Sequence, residues 1–313
     1  MSLEHQPQPQ EEARQDHSYT RQPKLPPRSW DSHMHVFEPH SLDSPTAPYH
    51  PIPSSLPQAL AFESTMGLSN IVLVQPSCYG NDNSYLLSAL RQLGDRRARG
   101  VVAFDPYTTS PETLQQWHRI GVRGVRINLK SVDATMDRSS FESLLRRSAD
   151  AVRPLSWVIQ LHIPMVLVDW LVQFAHDLDV KICLDHFGSP DLSSSSIDTE
   201  DPYSISGFRS LVDLLSQGKT YVKFSAPYRV SRDPALRDLA PLALELLRVA
   251  GTTRLVFATD WPHTRFNGLS IVPFVQQSVE WCKHDPILIE RLFQGNAEDL
   301  WAFSRTASGS SNL

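Results

Sequence analysis

Trp30-Asp31-Ser32-His33-Met34-His35-Val36-Phe37 is the stretch from which the fold can be read. In an extended strand, residues two apart point to the same side, so His33 and His35 project together while Ser32, Met34 and Val36 face the opposite layer. Two imidazoles on one face make a bidentate site. Imidazole suits zinc and related metals, and it also polarises a carbonyl or carries protons with no metal. A His-x-His alone is weak, because structural histidines are common. Recurrence gives it weight: His162, the pair Asp185-His186 and the cluster Asp260-Trp261-Pro262-His263 stand at the ends of other apolar strands.

Working outward, strand-like runs recur at 30–37, 70–77, 100–106, 121–128, 157–163, 181–187, 221–226 and 255–260. Helical spacing of apolar residues fills the gaps at 84–93, 111–119, 141–153, 166–178, 207–217 and 234–250. The gap after Phe37 is Pro-rich (Pro39, Pro45, Pro48, Pro51, Pro53, Pro57) and reads as a loop before a short helix. Near-continuous apolar strands alternating with helices imply a parallel sheet covered on both faces. Eight such units in about 270 residues favour a closed (β/α)8 TIM barrel of the α/β class over an open sheet. No Gly-x-Gly-x-x-Gly follows a strand and no Gly-Lys-Ser/Thr phosphate loop occurs, so a doubly wound nucleotide-binding sheet loses its usual support. Residues 271–301 read as two further helices that finish the outer ring.

Composition excludes several functions. Of 313 residues, 41% are hydrophobic and 20% charged, as in ordinary globular proteins, and the formal net charge of -5 leaves no basic footprint for nucleic acid. No apolar run is long enough to span a bilayer, and the N-terminus has no signal pattern. The expectation is a cytoplasmic protein with no membrane or nucleic-acid partner. Cys78, Cys183 and Cys282 are scattered and odd in number, which fits buried free thiols. Residues 1–28 are polar and Pro/Gln-rich and read as a flexible leader; 304–313 read as a flexible tail; 29–303 form the barrel. The closing Ser311-Asn312-Leu313 distantly resembles the peroxisomal Ser-Lys-Leu address, although a ragged polar end is the commoner explanation.

In such barrels the C-terminal strand ends build the active site. That rule gathers His33, His35, Ser77, Asp105, Arg126, Asn128, His162, Asp185, His186, Tyr228, Arg229, Asp260 and His263 at one mouth. Asp105, before Pro106, reads as a turn former, and Asp185 as the structural member of its pair, since adjacent strand residues face opposite sides and His186 is oriented inward. His118, His176 and His284 lie on expected helices and read as surface residues.

These residues resemble the amidohydrolase superfamily, metallo-dependent hydrolase barrels, and within it the amidohydrolase-2 branch that contains 2-pyrone-4,6-dicarboxylate lactonases. The resemblance is carried by Asp31-Ser32-His33-Met34-His35-Val36-Phe37, Gly124-Val125-Arg126-Ile127-Asn128, Asp185-His186-Phe187-Gly188, Phe224-Ser225-Ala226-Pro227-Tyr228, Thr259-Asp260-Trp261-Pro262-His263 and Gly295-Asn296-Ala297. It implies that Asp260 is a general base that activates water, while His33, His35 and His186 polarise the scissile carbonyl directly or through a metal. Ser77, Arg126, His162, Tyr228, Arg229 and His263 are the expected substrate contacts.

Two departures matter. The lactonases work without a metal and lack a histidine on the fifth strand; here Leu161-His162-Ile163-Pro164 supplies one, completing a candidate ligand set of His33, His35, His162 and Asp260 for one divalent ion such as zinc. The lactonases also surround their anionic substrate with arginines. Arg126 and Arg229 match, but Ser189 and Val132 stand where further arginines are expected, which argues for a lactone with few negative charges. The expected activity is hydrolysis of a lactone or similar cyclic ester. The alternatives are metal-dependent decarboxylation of an aromatic or enol acid, and a non-catalytic binding barrel. Metal occupancy and a homo-oligomeric state are left open.

Overall fold

Eight parallel strands follow one another around a barrel: β1 Trp30–Met34, β2 Asn70–Val74, β3 Ala98–Val102, β4 Val122–Asn128, β5 Val158–His162, β6 Ile182–Leu184, β7 Thr220–Phe224 and β8 Leu255–Phe257. Each pairs in parallel with the next. The ring closes beyond the end of β8, where the Asp260 N–H donates to the His33 carbonyl (2.9 Å) and the His35 N–H donates to the Trp261 carbonyl (2.8 Å). The architecture is the expected (β/α)8 barrel, seen in a computed structural model that describes residues 24–38, 51–132, 134–193, 198 and 200–302. The expectations placed on the leader up to residue 23, on Pro39, Pro45 and Pro48, and on the tail from residue 304 lie outside the described residues.

Strand alternation divides the apolar residues into two layers. Ile71, Leu73, Ile159, Leu161, Val222 and Phe224 face outward into the main core beneath the helices, while Val72, Val74, Val158, Cys183, Tyr221 and Val256 point into the barrel. The C-terminal run closes the barrel floor. Trp301 is fully buried against this inner layer, its Nε1 donates to Ser32 Oγ at 3.3 Å, and its carbonyl accepts from Arg99 Nε at 3.2 Å.

That Ser32 contact corrects the simple alternation expected of β1. Asp31 lies opposite Ile71 and Met34 opposite Leu73, so one residue of β2 faces two of β1, Ser32 and His33. Such a bulge turns both side chains inward and re-aims the strand. His35 then shares the inner face with His33, and Met34 and Val36 pack outward.

The helices are α1 Leu56–Met66, α2 Ser84–Leu93, α3 Pro111–Ile120, α4 Arg138–Val152, α5 Val168–Leu171, α6 Ala175–Leu178, α7 Phe208–Ser216, α8 Ala240–Ala250, α9 Val272–Trp281, α10 Pro286–Glu290 and α11 Asn296–Leu300. Three stretches differ from expectation, one of them 271–301, where α9, α10 and α11 stand in place of two helices. The stretch 166–178 breaks into a 3-10 turn and the short α5 and α6, with Phe174 at φ -134 interrupting the run; Val166, Val168 and Val172, all β-branched, weaken its helix propensity. Residues 234–239 stay outside α8 because Leu236 is left-handed (φ 57) and Asp238 accepts from the Arg232 N–H. A π-turn over Arg291–Gly295 joins α10 to α11, and Asn296 donates to the carbonyls of Gly251 and Leu255. Of the described part of the leader, Leu25 packs on the core and Arg28 pairs with Glu298 at 3.2 Å. Cys78, Cys183 and Cys282 are buried, and none forms a disulfide among the described residues. Among the described residues, no helix is long and apolar enough to cross a membrane.

Candidate active site

At the C-terminal mouth, Asp260 is almost wholly buried and left-handed (φ 62), which swings its carboxylate off the strand end toward the barrel axis. One oxygen faces three imidazoles: Oδ1 lies 3.6 Å from His33 Nε2, 3.8 Å from His35 Nε2 and 3.9 Å from His186 Nε2. The other is spoken for. Oδ2 accepts from the Tyr228 hydroxyl and from Arg229 Nε, each at 2.7 Å. Burial alone would push the Asp260 carboxyl up, but the charge of the Arg229 guanidinium, the largest opposing cause, holds it well below the usual carboxylate range. It is therefore an anion at neutral pH, with one oxygen directed at the cavity.

The imidazoles are held neutral. Burial, helped by the Arg126 charge, brings His35 down to about 4, and burial brings His186 down to about 4 despite Asp260 and Asp185. His33, wholly buried, is lowered well below its ordinary value by burial and then by Lys223. His186 is delivered by an unusual turn. Asp185 keeps extended geometry, and then His186 (φ 50), Phe187 (φ 56), Gly188 (φ 78) and Ser189 (φ 55) are all left-handed. For residues other than glycine, this conformation costs roughly 1–2 kcal/mol each, and the fully buried Phe187, packed on Phe224 at 4.6 Å, offsets part of it. The turn also corrects the reading of Asp185, because both members of the pair face inward. The Asp185 carboxylate meets Lys223 Nζ (3.3 Å), His33 Nδ1 (3.4 Å), Arg126 (3.5 Å) and Gln160 Nε2 (3.1 Å).

The hydrogen-bond network assigns the ring protons and tests whether a metal fits. His35 Nδ1 meets the Val74 carbonyl at 2.8 Å, so it carries the proton and a neutral ring turns a bare Nε2 inward. His33 Nε2 lies 3.2 Å from it. Two bare nitrogens at that distance repel, so either a proton on His33 Nε2 or a cation must lie between them. Lys223 Nζ, 3.3 Å from His33 Nδ1, matches the first state by donating to that nitrogen; Asp185 Oδ1, at 3.4 Å, matches the second by accepting from it. The donor set thus fits a divalent ion, and its three nitrogens and one carboxylate oxygen suit zinc. Among the described residues, His33, His186 and Asp260 form one group able to hold a metal, and His162, Asp185 and His186 form another.

His162 is buried with its ring set edge-on to His186 (4.9 Å between centroids), and its Nδ1 has no hydrogen-bond partner. The expected ligand set of His33, His35, His162 and Asp260 is thus not gathered at one point: His186 stands at Asp260, and His162 stands against His186. A cavity of about 40 Å³ above these groups is lined by His35, Ser77, Arg126, His162, His186, Arg229 and Asp260, all anticipated, together with Ser131, Thr264 and Arg265. Arg126 donates to the Gln75 carbonyl at 3.2 Å, and its buried Nε is unpartnered. His263 packs between Phe62 and Tyr228 rather than on the cavity wall. Asn128 accepts from the Ser131 N–H at 3.1 Å and Asp105 from the Tyr107 N–H at 2.8 Å, both as turn formers. His118, expected on the surface, is half-buried and accepts from Trp157 Nε1 at 2.9 Å.

Sequence reasoning missed Lys223, Gln160 and Ser225, whose hydroxyl lies 2.8 Å from His186 Nδ1. Lys223 carried a usable signal: a lysine within Tyr221-Val222-Lys223-Phe224, an otherwise apolar strand, needs a buried partner.

A parallel barrel with a buried aspartate and histidines converging at its C-terminal mouth defines a class of hydrolases. The chain belongs to the amidohydrolase family, whose profile matches residues 30–303. It is 30% identical over 254 residues to a 4-sulfomuconolactone hydrolase from Hydrogenophaga intermedia, covering 80% of this chain and 79% of that one. It is 31% identical over 253 residues to a 2-pyrone-4,6-dicarboxylate hydrolase from Comamonas testosteroni, covering 77% and 78%. A crystal structure described as a 2-pyrone-4,6-dicarboxylic acid hydrolase from Pseudomonas putida superposes with a TM-score of 0.73 at 31% identity, over 90% of this chain and 99% of that one.

Proposed function

We propose that this chain opens a lactone or similar cyclic ester with water, using Asp260 as general base. The observation that carries the reading is the convergence of three imidazole nitrogens on one oxygen of a buried carboxylate whose other oxygen is already occupied. Relatives described as sulfomuconolactone and pyrone-dicarboxylate hydrolases support a lactone as the ring that is opened.

Water held at Asp260 Oδ1 donates one hydrogen to that oxygen. As its oxygen bonds to the lactone carbonyl carbon, Asp260 takes the proton. His186, accepting at Nδ1 from Ser225, has an Nε2–H to donate to the developing oxyanion. The ring C–O bond then breaks, and the leaving oxygen collects the proton from Asp260, giving a hydroxycarboxylic acid. A divalent ion, if held by His33, His35, His186 and Asp260 with His162 beside them, would take the place of the Nε2 protons of His33 and His186, polarise the carbonyl in their stead and acidify water. The unpartnered Arg126 Nε supports one substrate carboxylate, bound by a charge-assisted hydrogen bond. Three buried cysteines outside any disulfide among the described residues support a reducing, cytoplasmic setting.

The test is acid release in a pH-stat from neutral, monocarboxylated and dicarboxylated lactones, with metal analysis of the same preparation. Acid release with monocarboxylated or neutral lactones preferred is the expected result. Carbon dioxide release from enol or aromatic acids, without lactone opening, would replace this reading with the decarboxylase. No turnover of either class would leave a binding barrel.

A further inference from the structure

The catalytic cavity is too small to hold a substituted lactone whole. At about 40 Å³ it holds little more than a water, whereas ligand sites run to several hundred Å³. Beside it on the same face lies a groove of about 900 Å³, built by the loops after β4, β5, β6 and β7. Arg229 lines both spaces and is where they meet. The groove is faced by Leu129, Met165, Val166, Leu192, Ile205 and Val230. Three cations line it: Lys130, turned to the Ser189 carbonyl at 2.9 Å, Arg229, engaged by Asp260, and the exposed Arg232, which donates to the Ser193 carbonyl at 3.3 Å. Ser189 also lines it, at the position where the family resemblance leads one to expect an arginine; Val132, the other such position, is 39% exposed and lines neither space.

We infer that this groove binds an apolar substituent of the substrate, so that the lactone carries an alkyl or aryl tail on the side away from Arg126, where a twice-charged lactone would carry a second carboxylate. This rests on the lactonase reading for the ring and adds the tail. The polar end sits among His186, Asp260, Arg126 and Arg229, and the tail runs from Arg229 across Val230 and Ile205 toward Met165 and Val166. Apolar contact stabilises the tail methylene by methylene, while a second carboxylate along Val230, Ile205 and Met165 would be desolvated, with Arg229 engaged by Asp260, Lys130 by a carbonyl, and Arg232 at the exposed rim.

The experiment measures KM for a series of lactones with methyl, butyl, hexyl and octyl side chains, and by calorimetry the Kd of the matching open-chain hydroxycarboxylates, which bind whether or not the protein turns lactones over. KM and Kd are expected to fall by roughly twofold to fourfold for each buried methylene until the groove is filled, with kcat little changed. Val166→Glu, at a half-exposed position, is expected to flatten the dependence on chain length, and Val166→Leu to preserve it. Values independent of chain length in the wild type, or a dependence untouched by Val166→Glu, would overturn the inference. If no lactone is opened but the hydroxycarboxylates still bind more tightly with longer tails, the lactonase reading falls and the groove stands.

Discussion

Replacing Lys223 with methionine tests whether the charged layer beneath the histidines is a structural unit. Lys223 is wholly buried, with its ammonium 3.3 Å from Asp185 Oδ1 and 3.3 Å from His33 Nδ1, above the Trp301 ring. Methionine keeps the length and apolar stem but removes the charge. Asp185 would then stay buried with Arg126 at 3.5 Å and Gln160 at 3.1 Å as its remaining partners besides His33. Breaking one side of a buried ion pair costs about 3–5 kcal/mol, and for a domain of this size each kcal/mol lowers Tm by roughly 2–4 °C. The expected loss is therefore on the order of 6–20 °C by calorimetry. Lys223→Met combined with Asp185→Asn should recover much of it, because no uncompensated charge remains, and the double-mutant cycle reads the coupling directly. kcat should fall in both single variants, since each removes a group that fixes the His33 ring. A Lys223→Met protein within about 1 kcal/mol of wild type would refute the claim that this layer is electrostatically tight.

His162→Phe should leave stoichiometric metal in place, as measured by elemental analysis, if His33, His35, His186 and Asp260 are the holding set, and should raise KM more than it lowers kcat. Loss of metal with activity would instead make His162 a ligand. Arg126→Met should raise KM for a monocarboxylated lactone by roughly tenfold to a hundredfold, the equivalent of a charge-assisted bond of about 1.5–3 kcal/mol, and barely change it for a neutral lactone. In metal-free protein, His35, His186 and His263 lie near 4 in the fold against about 6.5 in the unfolded chain. Between those values the unfolded chain binds protons that the native state refuses, so denaturation midpoints should be highest above about pH 6.5 and fall as pH drops toward about 4.

How much was legible in the sequence depended on whether the signal was local. The eight strands and most helices announced themselves through periodicity, and Asp260, His186, His33 and His35 through their places at strand ends. The β1 bulge was not legible, since nothing in Asp31-Ser32-His33-Met34 departs from ordinary alternation; only pairing against β2 forces two residues opposite one. Asp185 was misread because the left-handed turn starting at His186 uses three residues other than glycine, which sequence gives no reason to expect. Tyr228 and Arg229 were placed at the mouth, but their grip on Asp260 Oδ2 depends on a 3-10 turn after β7 meeting the end of β8. The groove is assembled from four loops far apart in the chain, so no single segment carries its apolar character.

The central claim is that Asp260 takes the proton from water, and Asp260→Asn tests it most directly. Asparagine can keep the bonds from Tyr228 and Arg229 through its carbonyl and preserves the side-chain volume, so the variant should fold with a Tm close to that of the wild type. It cannot accept a proton at neutral pH, and positioned acid–base catalysis is worth about 10²–10⁴-fold. The measurement is kcat for lactone opening by purified Asp260→Asn, followed by acid release, with folding checked on the same sample. A fall of at least about a hundredfold in a folded protein is the result predicted; a folded variant that opens the lactone within a few-fold of the wild-type rate would contradict the account.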